Sequence, residues 1–333
     1  MSCTKFKFAL AGCGYAGARY IKLLSQHTKY ELTALVDTNC ARLSEYKALN
    51  IPSFHSIEEY FSSGIDADAV IVATPNASHA AIAIASLKEN RHVLIEKPMA
   101  LKSSDAEAIL HTATEQNKRV MVVLQNRFSP VSGWLKKVVT SNILGRIFFV
   151  QVNCFWNRDE RYYRKGSWHG TRELDGGTLF TQFSHFVDLI YWLFGGFGDV
   201  HSRFANVNHS HLTELEDMGS AHFEFENGGM GCFNFSTAVW DKSFESSLTI
   251  IAENGSVKVS GQYMDKVEYC HIKDHRLSIS NDSTSADSNH FKMMSAFTDA
   301  IEDSGPTNAE EALNSIRLIE SIYKGTSSSS QGN

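Results

Sequence analysis

Five short apolar runs punctuate the first third of the chain, at 7–11 (KFALA), 31–36 (ELTALV), 68–73 (DAVIVA), 91–95 (RHVLI) and 120–124 (VMVVL). Their hydrophobicity is continuous rather than alternating, the mark of strands covered on both faces. The longer stretches between them, such as 78–90 and 103–117, carry Ala, Leu and Ile at helical spacing. This alternation predicts an α/β domain over 1–125, built on a doubly wound parallel sheet.

Beyond residue 125 the pattern changes. It predicts a helix near 130–140, a strand near 146–156, a loop crowded with charged and aromatic residues, and one apolar helix over 177–194. From 200 to about 270 the strand-like runs AHFEFE, MGCFNFS and SLTIIA follow one another, with turn signals at Asn227-Gly228-Gly229 and Asn254-Gly255. Two closing helices are expected over 289–302 and 309–323. The second domain, 126–324, is therefore expected to be α+β with a large open, mostly antiparallel sheet. Residues 325–333 (GTSSSSQGN) are expected to form a disordered tail.

Composition narrows the function. A length of 333 residues suits two domains, and 43% hydrophobic with 20% charged residues is ordinary for a globular protein. A net charge of −6 argues against a nucleic-acid or anionic-membrane surface and leaves small-molecule work. Lys5 and Lys7 before FALAGCGYAGA imitate a secretory signal, but the glycine spacing offers another account. No apolar stretch approaches the roughly 18 residues of a transmembrane helix. The six cysteines form no CxxC pair, so neither a disulfide framework nor a zinc ribbon is suggested and a cytoplasmic location is expected. His201, His209 and His211 lack a matching ligand pattern and read as exposed loop residues; no metal is expected.

Directly after the first strand stands AGCGYAG, with Gly12, Gly14 and Gly17 in the GxGxxG spacing and Tyr15 and Ala16 between the last two. In the Rossmann arrangement, the first glycine makes the turn, the second admits a pyrophosphate, and the third lets the helix pack close to the strand. The helix N-terminus adds amide donors and partial positive charge. Asp37 ends the next strand, where a carboxylate binds both ribose hydroxyls of NAD and repels the 2′-phosphate of NADP. NAD is the expected cofactor, with Thr38 and Arg42 beside it. The alternative is a glycine turn that holds no ligand.

Two further features carry chemistry. Thr178, Thr181, His185 and Asp188 fall at helical spacing, so they would form a polar stripe on an otherwise apolar helix and line a polar cleft. The run VLIEKPMA (93–100) brings Lys97 out at the carboxyl edge of the first sheet, where ligands of open α/β sheets bind. Oxidation of a secondary alcohol needs a base for the hydroxyl proton, and histidine titrates in the useful range. A nearby ammonium favours the developing alkoxide. The bland alternatives are a structural His185 and a surface Lys97 paired with Glu96.

With Gly12, Gly14, Gly17, Asp37, Ala73-Thr74-Pro75-Asn76, Glu96-Lys97-Pro98 and the His185 helix in this order, the chain resembles the glucose-fructose oxidoreductase/inositol dehydrogenase (Gfo/Idh/MocA) family over nearly its whole length. The resemblance implies that Lys97 and His185 are catalytic and that the Lys97–Pro98 bond is cis. It implies cofactor contacts from Thr74, Pro75, Asn76, His79, Glu96, Lys97, Gln125 and Trp168, in addition to Gly12, Gly14, Tyr15, Ala16, Gly17, Asp37, Thr38 and Arg42. A homodimer or homotetramer, formed through the open sheet face, is expected on the same ground.

A narrower resemblance, carried by Gln125-Asn126-Arg127, by 153–171 and by LDGGTLFTQFSHFVDL (174–189), is to the bacterial UDP-N-acetylglucosaminuronate (UDP-GlcNAcA) 3-dehydrogenases of surface-polysaccharide synthesis. It implies oxidation of the C3 hydroxyl of a UDP-linked 2-acetamido sugar, with substrate contacts from Lys97, Arg127, Tyr163, Arg164, Thr181, Gln182 and His185. The residues agree with such a substrate: Arg127, Arg158, Arg161, Arg164, Lys165 and Arg172 are interleaved with Trp156, Tyr162, Tyr163 and Trp168, and guanidinium groups suit carboxylate and phosphate. A solvated charged loop is the alternative. One departure is Thr181, where many family members have Asp, so a Lys/Asp/His triad does not carry over intact. Another is the short polar segment 274–290, which would alter a substrate-side loop. Two other functions stay open: an NAD(P)-dependent dehydrogenase of a free sugar or inositol, and a non-enzymatic NAD- and sugar-binding regulator.

Overall fold

A computed structural model describes residues 5–274 and 286–325. The expected tail beyond Gly325 and most of the polar segment 274–290 lie outside the described residues.

The chain forms two compact units. The first runs to Val123 and takes in His290–Leu313; the second holds Leu124–Asn289 and the chain from Asn314 on. In chain order, the first unit contains β1 (Phe6–Ala11), α1 (Tyr15–Gln26), β2 (Tyr30–Val36), α2 (Cys40–Glu45), β3 (Ser53–Phe54), α3 (Ile57–Ser62), β4 (Ala69–Val72), α4 (His79–Lys88), β5 (His92–Ile95), α5 (Ser103–Glu115) and β6 (Val120–Val122). The six strands are all parallel, in the order β3-β2-β1-β4-β5-β6. Phe8 to Leu10, Val70 to Val72 and Val93 to Ile95 are fully buried, so the continuous apolar runs are the strands covered on both faces. The two-residue β3 carries no such run, which is why pattern alone does not find it.

The second unit contains α6 (Pro130–Thr140), β7 (Ile147–Phe155), α7 (Arg172–Asp175), α8 (Thr178–Thr181), α9 (Ser184–Phe194), β8 (Phe197–Ala205), β9 (Met218–Phe225), β10 (Met230–Ser236), β11 (Glu245–Ala252), β12 (Gly255–Ser260) and β13 (Lys266–Ile272). Two helices close the chain, α10 (Ala286–Glu302) and α11 (Ala309–Lys324). The seven-stranded sheet has the order β13-β12-β11-β7-β10-β9-β8. It is antiparallel except where β10 lies parallel to β7, which makes it mixed. One face packs against the helices: the Phe183 ring lies 4.9 Å from Trp156, 5.3 Å from Phe235 and 6.4 Å from Phe233. The other face carries a hydrogen-bonded polar row, in which Ser220 donates to Asn234, Asn234 to Asn153, and Asn153 to Glu245.

The single helix expected over 177–194 is in fact two, α8 and α9, broken at Gln182 and Phe183. His209 is also buried rather than exposed, with its Nδ1 3.6 Å from the Asp217 carboxylate. No described helix is long and apolar enough to cross a membrane.

Candidate functional site

In the first unit the order of strands reverses between β1 and β4, and the loops after β1, β2, β4 and β5 all leave from the carboxyl edge of the sheet. That edge is where open α/β sheets bind their ligands. It carries Gly12 to Gly17, Asp37 to Arg42, Thr74 to His79, and Glu96 with Lys97.

The glycine loop is built as the spacing demands. Gly12 has φ +96°, and a Cβ there would lie 2.3 Å from the Ala73 carbonyl oxygen; a Cβ on Gly17 would lie 2.0 Å from the Gly12 oxygen. Those two glycines are required by the protein's own packing. Gly14 is different, because its missing side chain would approach only the Arg42 guanidinium, at 3.3 Å. The backbone is therefore open there, at the N-terminus of α1, as a bound pyrophosphate requires. Tyr15 is 88% exposed and Ala16 half-buried on the same turn.

Asp37 is buried. Its Oδ2 accepts the Cys13 N–H and its Oδ1 the Asn39 N–H, each at 2.8 Å, and Arg42 Nη1 stands 3.5 Å from Oδ2. The carboxylate thus ties its own loop to the glycine loop, and each oxygen keeps a further lone pair for a ribose hydroxyl. Burial and the adjacent Asp37 push the Cys13 thiol up to about 12, so it stays protonated. Thr38 is exposed beside them. These residues fit a dinucleotide.

After β4, Thr74 and Pro75 are half-buried and Asn76 is buried. His79, the first residue of α4, is buried, with Nδ1 2.7 Å from the Pro98 oxygen and Nε2 2.8 Å from the Thr74 oxygen. Both ring nitrogens face backbone carbonyls, so His79 braces two loops of this edge. Burial pushes its pKa down. Lys97 is half-buried and its bond to Pro98 is cis. Glu96 accepts from Tyr20, which carries no signal in the sequence because it sits three positions beyond the glycine motif on what looks like an ordinary core helix.

In the second unit the four stripe residues are all buried, Thr178 and Thr181 on α8 and His185 and Asp188 on α9, and Thr178, Thr181 and Asp188 each have a partner. The Thr178 hydroxyl donates to the Glu216 carbonyl, the Thr181 hydroxyl to the Asp175 carboxyl, and Asp188 accepts from Ser315 at 2.8 Å. His185 is buried as the second residue of α9. Arg127 donates to both oxygens of Asp188, at 2.6 and 2.8 Å, with the two side chains 7% and 2% exposed. That pair is neutral as a whole, so Arg127 adds no net positive charge to a substrate cleft.

Gln182 is buried; its Oε1 accepts from Arg158 Nε at 2.7 Å and its Nε2 donates to the Tyr162 hydroxyl. Arg158 also lies 4.8 Å from the centre of the Trp156 ring and 5.0 Å from that of Tyr162, and burial lowers its pKa. Tyr163 is buried and its pKa is pushed up to about 12 by that burial, Arg164 is exposed, and Trp168 stacks on His169 at 3.9 Å. Gln125 is buried, and its Oε1 accepts no hydrogen bond from the described residues. Asp175, which accepts from the Thr181 hydroxyl and the Gly170 N–H, carries no mark in its local spacing that separates it from a solvated loop residue.

Comparison with known proteins gives the same picture at larger scale. Residues 6–124 match the Gfo/Idh/MocA model described as an oxidoreductase family with an NAD-binding Rossmann fold, and residues 134–258 match the C-terminal domain of that family. The WlbA dehydrogenase of Bordetella pertussis, solved in complex with NADH and UDP-GlcNAcA, is 30% identical, with 97% of this chain and 96% of that one covered at a TM-score of 0.88. The WlbA dehydrogenase of Chromobacterium violaceum, in complex with the same two ligands, is 29% identical over 98% of this chain and 94% of its own, at 0.84. Curated relatives are more distant: the 2,7-anhydro-N-acetylneuraminate hydratase of Escherichia coli is 28% identical over 77% of this chain and 68% of its own length. With the first of the curated relatives the likeness spans only 51% of that protein. On the match of both domain models in order, joined to the glycine cradle and Asp37, the chain belongs to the Gfo/Idh/MocA oxidoreductase family and its first domain is that family's NAD-binding Rossmann fold.

Proposed function

We propose that the protein is an NAD-dependent dehydrogenase that oxidises the C3 hydroxyl of a UDP-linked 2-acetamido sugar, with UDP-GlcNAcA the first substrate to test. The observation that carries this reading is the likeness to the Bordetella WlbA dehydrogenase along 97% of the chain. Bound NAD would take the hydride from C3. Gly12 to Gly17 and Asp37 would hold it, with Thr74 to Asn76 lining its far end.

His185 serves as the base for the C3 hydroxyl proton, and Lys97 orients that hydroxyl and favours the alkoxide as it forms. Tyr163, Arg164, Thr181 and Gln182 form the substrate wall. Arg127 supports that wall rather than meeting an anion, because Asp188 already takes its guanidinium. Arg158 is the better candidate for substrate charge, since Gln182 and two aromatic rings hold it in place.

Purified protein mixed with UDP-GlcNAcA and NAD is expected to give an equivalent of reduced cofactor in a single-turnover absorbance measurement at 340 nm. Lys97→Ala and His185→Ala are each expected to lower the rate on the order of a hundredfold or more. Turnover of free inositol or glucose with none of UDP-GlcNAcA would move the function to the free-sugar dehydrogenases. Normal cofactor binding and full biological activity in Lys97→Ala would favour a regulator.

A further inference from the structure

Glu96 has a definite occupation. Its Oε1 accepts the Tyr20 hydroxyl at 2.8 Å, and its Oε2 accepts the Lys97 N–H at 3.2 Å. Tyr20 belongs to α1, the helix that follows the glycine loop, and is completely buried. Burial and the Glu96 carboxylate raise its pKa well above the usual range, so it remains a donor at all physiological pH values. On the other side of Lys97, the Pro98 oxygen lies against His79 of α4. All of these residues belong to the first unit.

From these contacts we propose that Tyr20, acting through Glu96, is a positioning residue for Lys97, and that it couples the cofactor-binding helix to the lysine. The proposal rests on the role given to Lys97 above. The Tyr20 hydroxyl and the Lys97 N–H hold the two oxygens of the half-buried Glu96 carboxylate, which fixes both the carboxylate and the start of the turn that carries Lys97. Titratable groups near the pair include Arg19, whose Nη1 is 3.2 Å from His290 Nε2, His290 itself, whose ring stands edge-on to Tyr20 at 6.3 Å, and His79.

Tyr20→Phe removes one hydroxyl and keeps the ring that fills the core. In NAD-loaded protein without substrate, the pH dependence of Lys97 acetylation by acetic anhydride, read by peptide mass spectrometry, is expected to shift by about half a pH unit or more, while that of Lys88 stays in place. With UDP-GlcNAcA, kcat is expected to fall about tenfold or more with KM within about twofold, the pattern of a mispositioned group. An acetylation profile that overlays the wild type, or an unchanged kcat in a protein that turns the substrate over, overturns the proposal. If the wild type does not reduce NAD with UDP-GlcNAcA, the substrate reading fails and the acetylation profile alone still decides the role of Tyr20. Should Tyr20→Phe not fold, Tyr20→Met, which also removes the hydroxyl and leaves Glu96 in place, gives the same readout.

Discussion

Asp175 is 2% exposed, and burial raises its pKa to about 6, against the lowering pull of the Thr181 hydroxyl and the Gly170 N–H. An acid whose folded pKa lies above its unfolded value stabilises the fold while it is neutral. That contribution is complete below pH 4 and is lost as the pH rises through about 6. The shift corresponds to at most about 3 kcal/mol. Asp175→Asn is therefore expected to flatten the decline in Tm between about pH 4 and 7 relative to the wild type, even though it costs one hydrogen bond at Gly170; parallel slopes for the two proteins would refute the assignment. Residue chemistry of this kind was only half legible in the sequence. The glycine spacing and Asp37 were readable because the motif lies within one βαβ unit, where Asp37 accepts the Cys13 N–H. Arg127 was readable as a charge but not as half of an ion pair, because Asp188 is 61 residues away. A buried pair of this type is costly to break from one side, and sequence spacing carries no trace of it.

At the level of elements, period and apolar content located five of the six strands of the parallel sheet to within a residue or two. They failed where tertiary contacts override local preference. Residues 178–194 contain neither Gly nor Pro, so nothing local announces the break at Gln182 and Phe183. The break accompanies a segment pinned from outside: Thr178 donates its N–H to Glu216, and the Leu179 N–H donates to the Tyr323 hydroxyl. The parallel β7–β10 pairing was missed for a related reason, since turn signals report hairpins between neighbours and not pairings across the chain. The start of α8 tests this account. Gly177 has φ +141°, and a Cβ there would lie 2.2 Å from the Tyr323 hydroxyl oxygen. Gly177→Ala is expected to destabilise the protein by about 2–4 kcal/mol, seen as a lower denaturant midpoint with unchanged slope, because strain and overpacking add. The paired change with Tyr323→Phe should recover only the part due to contact with the hydroxyl.

For the whole molecule, charge sets a condition on the substrate. A net charge of −6 opposes the approach of a nucleotide sugar acid, which carries about −3 at neutral pH. Attraction must then come from local positive charge, and the stretch 156–172 supplies it with five cationic side chains against Asp159 and Glu160. These cations are not equivalent. Arg161 is spent on Asp159 at 2.7 Å, Arg172 donates to the Glu214 carbonyl, and Arg158 is buried, whereas Arg164 and Lys165 are exposed. Exposed charges act at long range and are screened by salt, while a buried one acts on contact and is screened little. If UDP-GlcNAcA is the substrate, raising ionic strength from about 0.05 to 0.3 M should lower kcat/KM several-fold, and Arg164→Ala with Lys165→Ala should reduce both kcat/KM at low salt and its salt dependence. Arg158→Met should instead raise KM at every ionic strength without changing the slope. A salt-independent kcat/KM, or a slope indifferent to Arg164 and Lys165, would mean that the segment does not meet an anion and that the substrate is a neutral sugar.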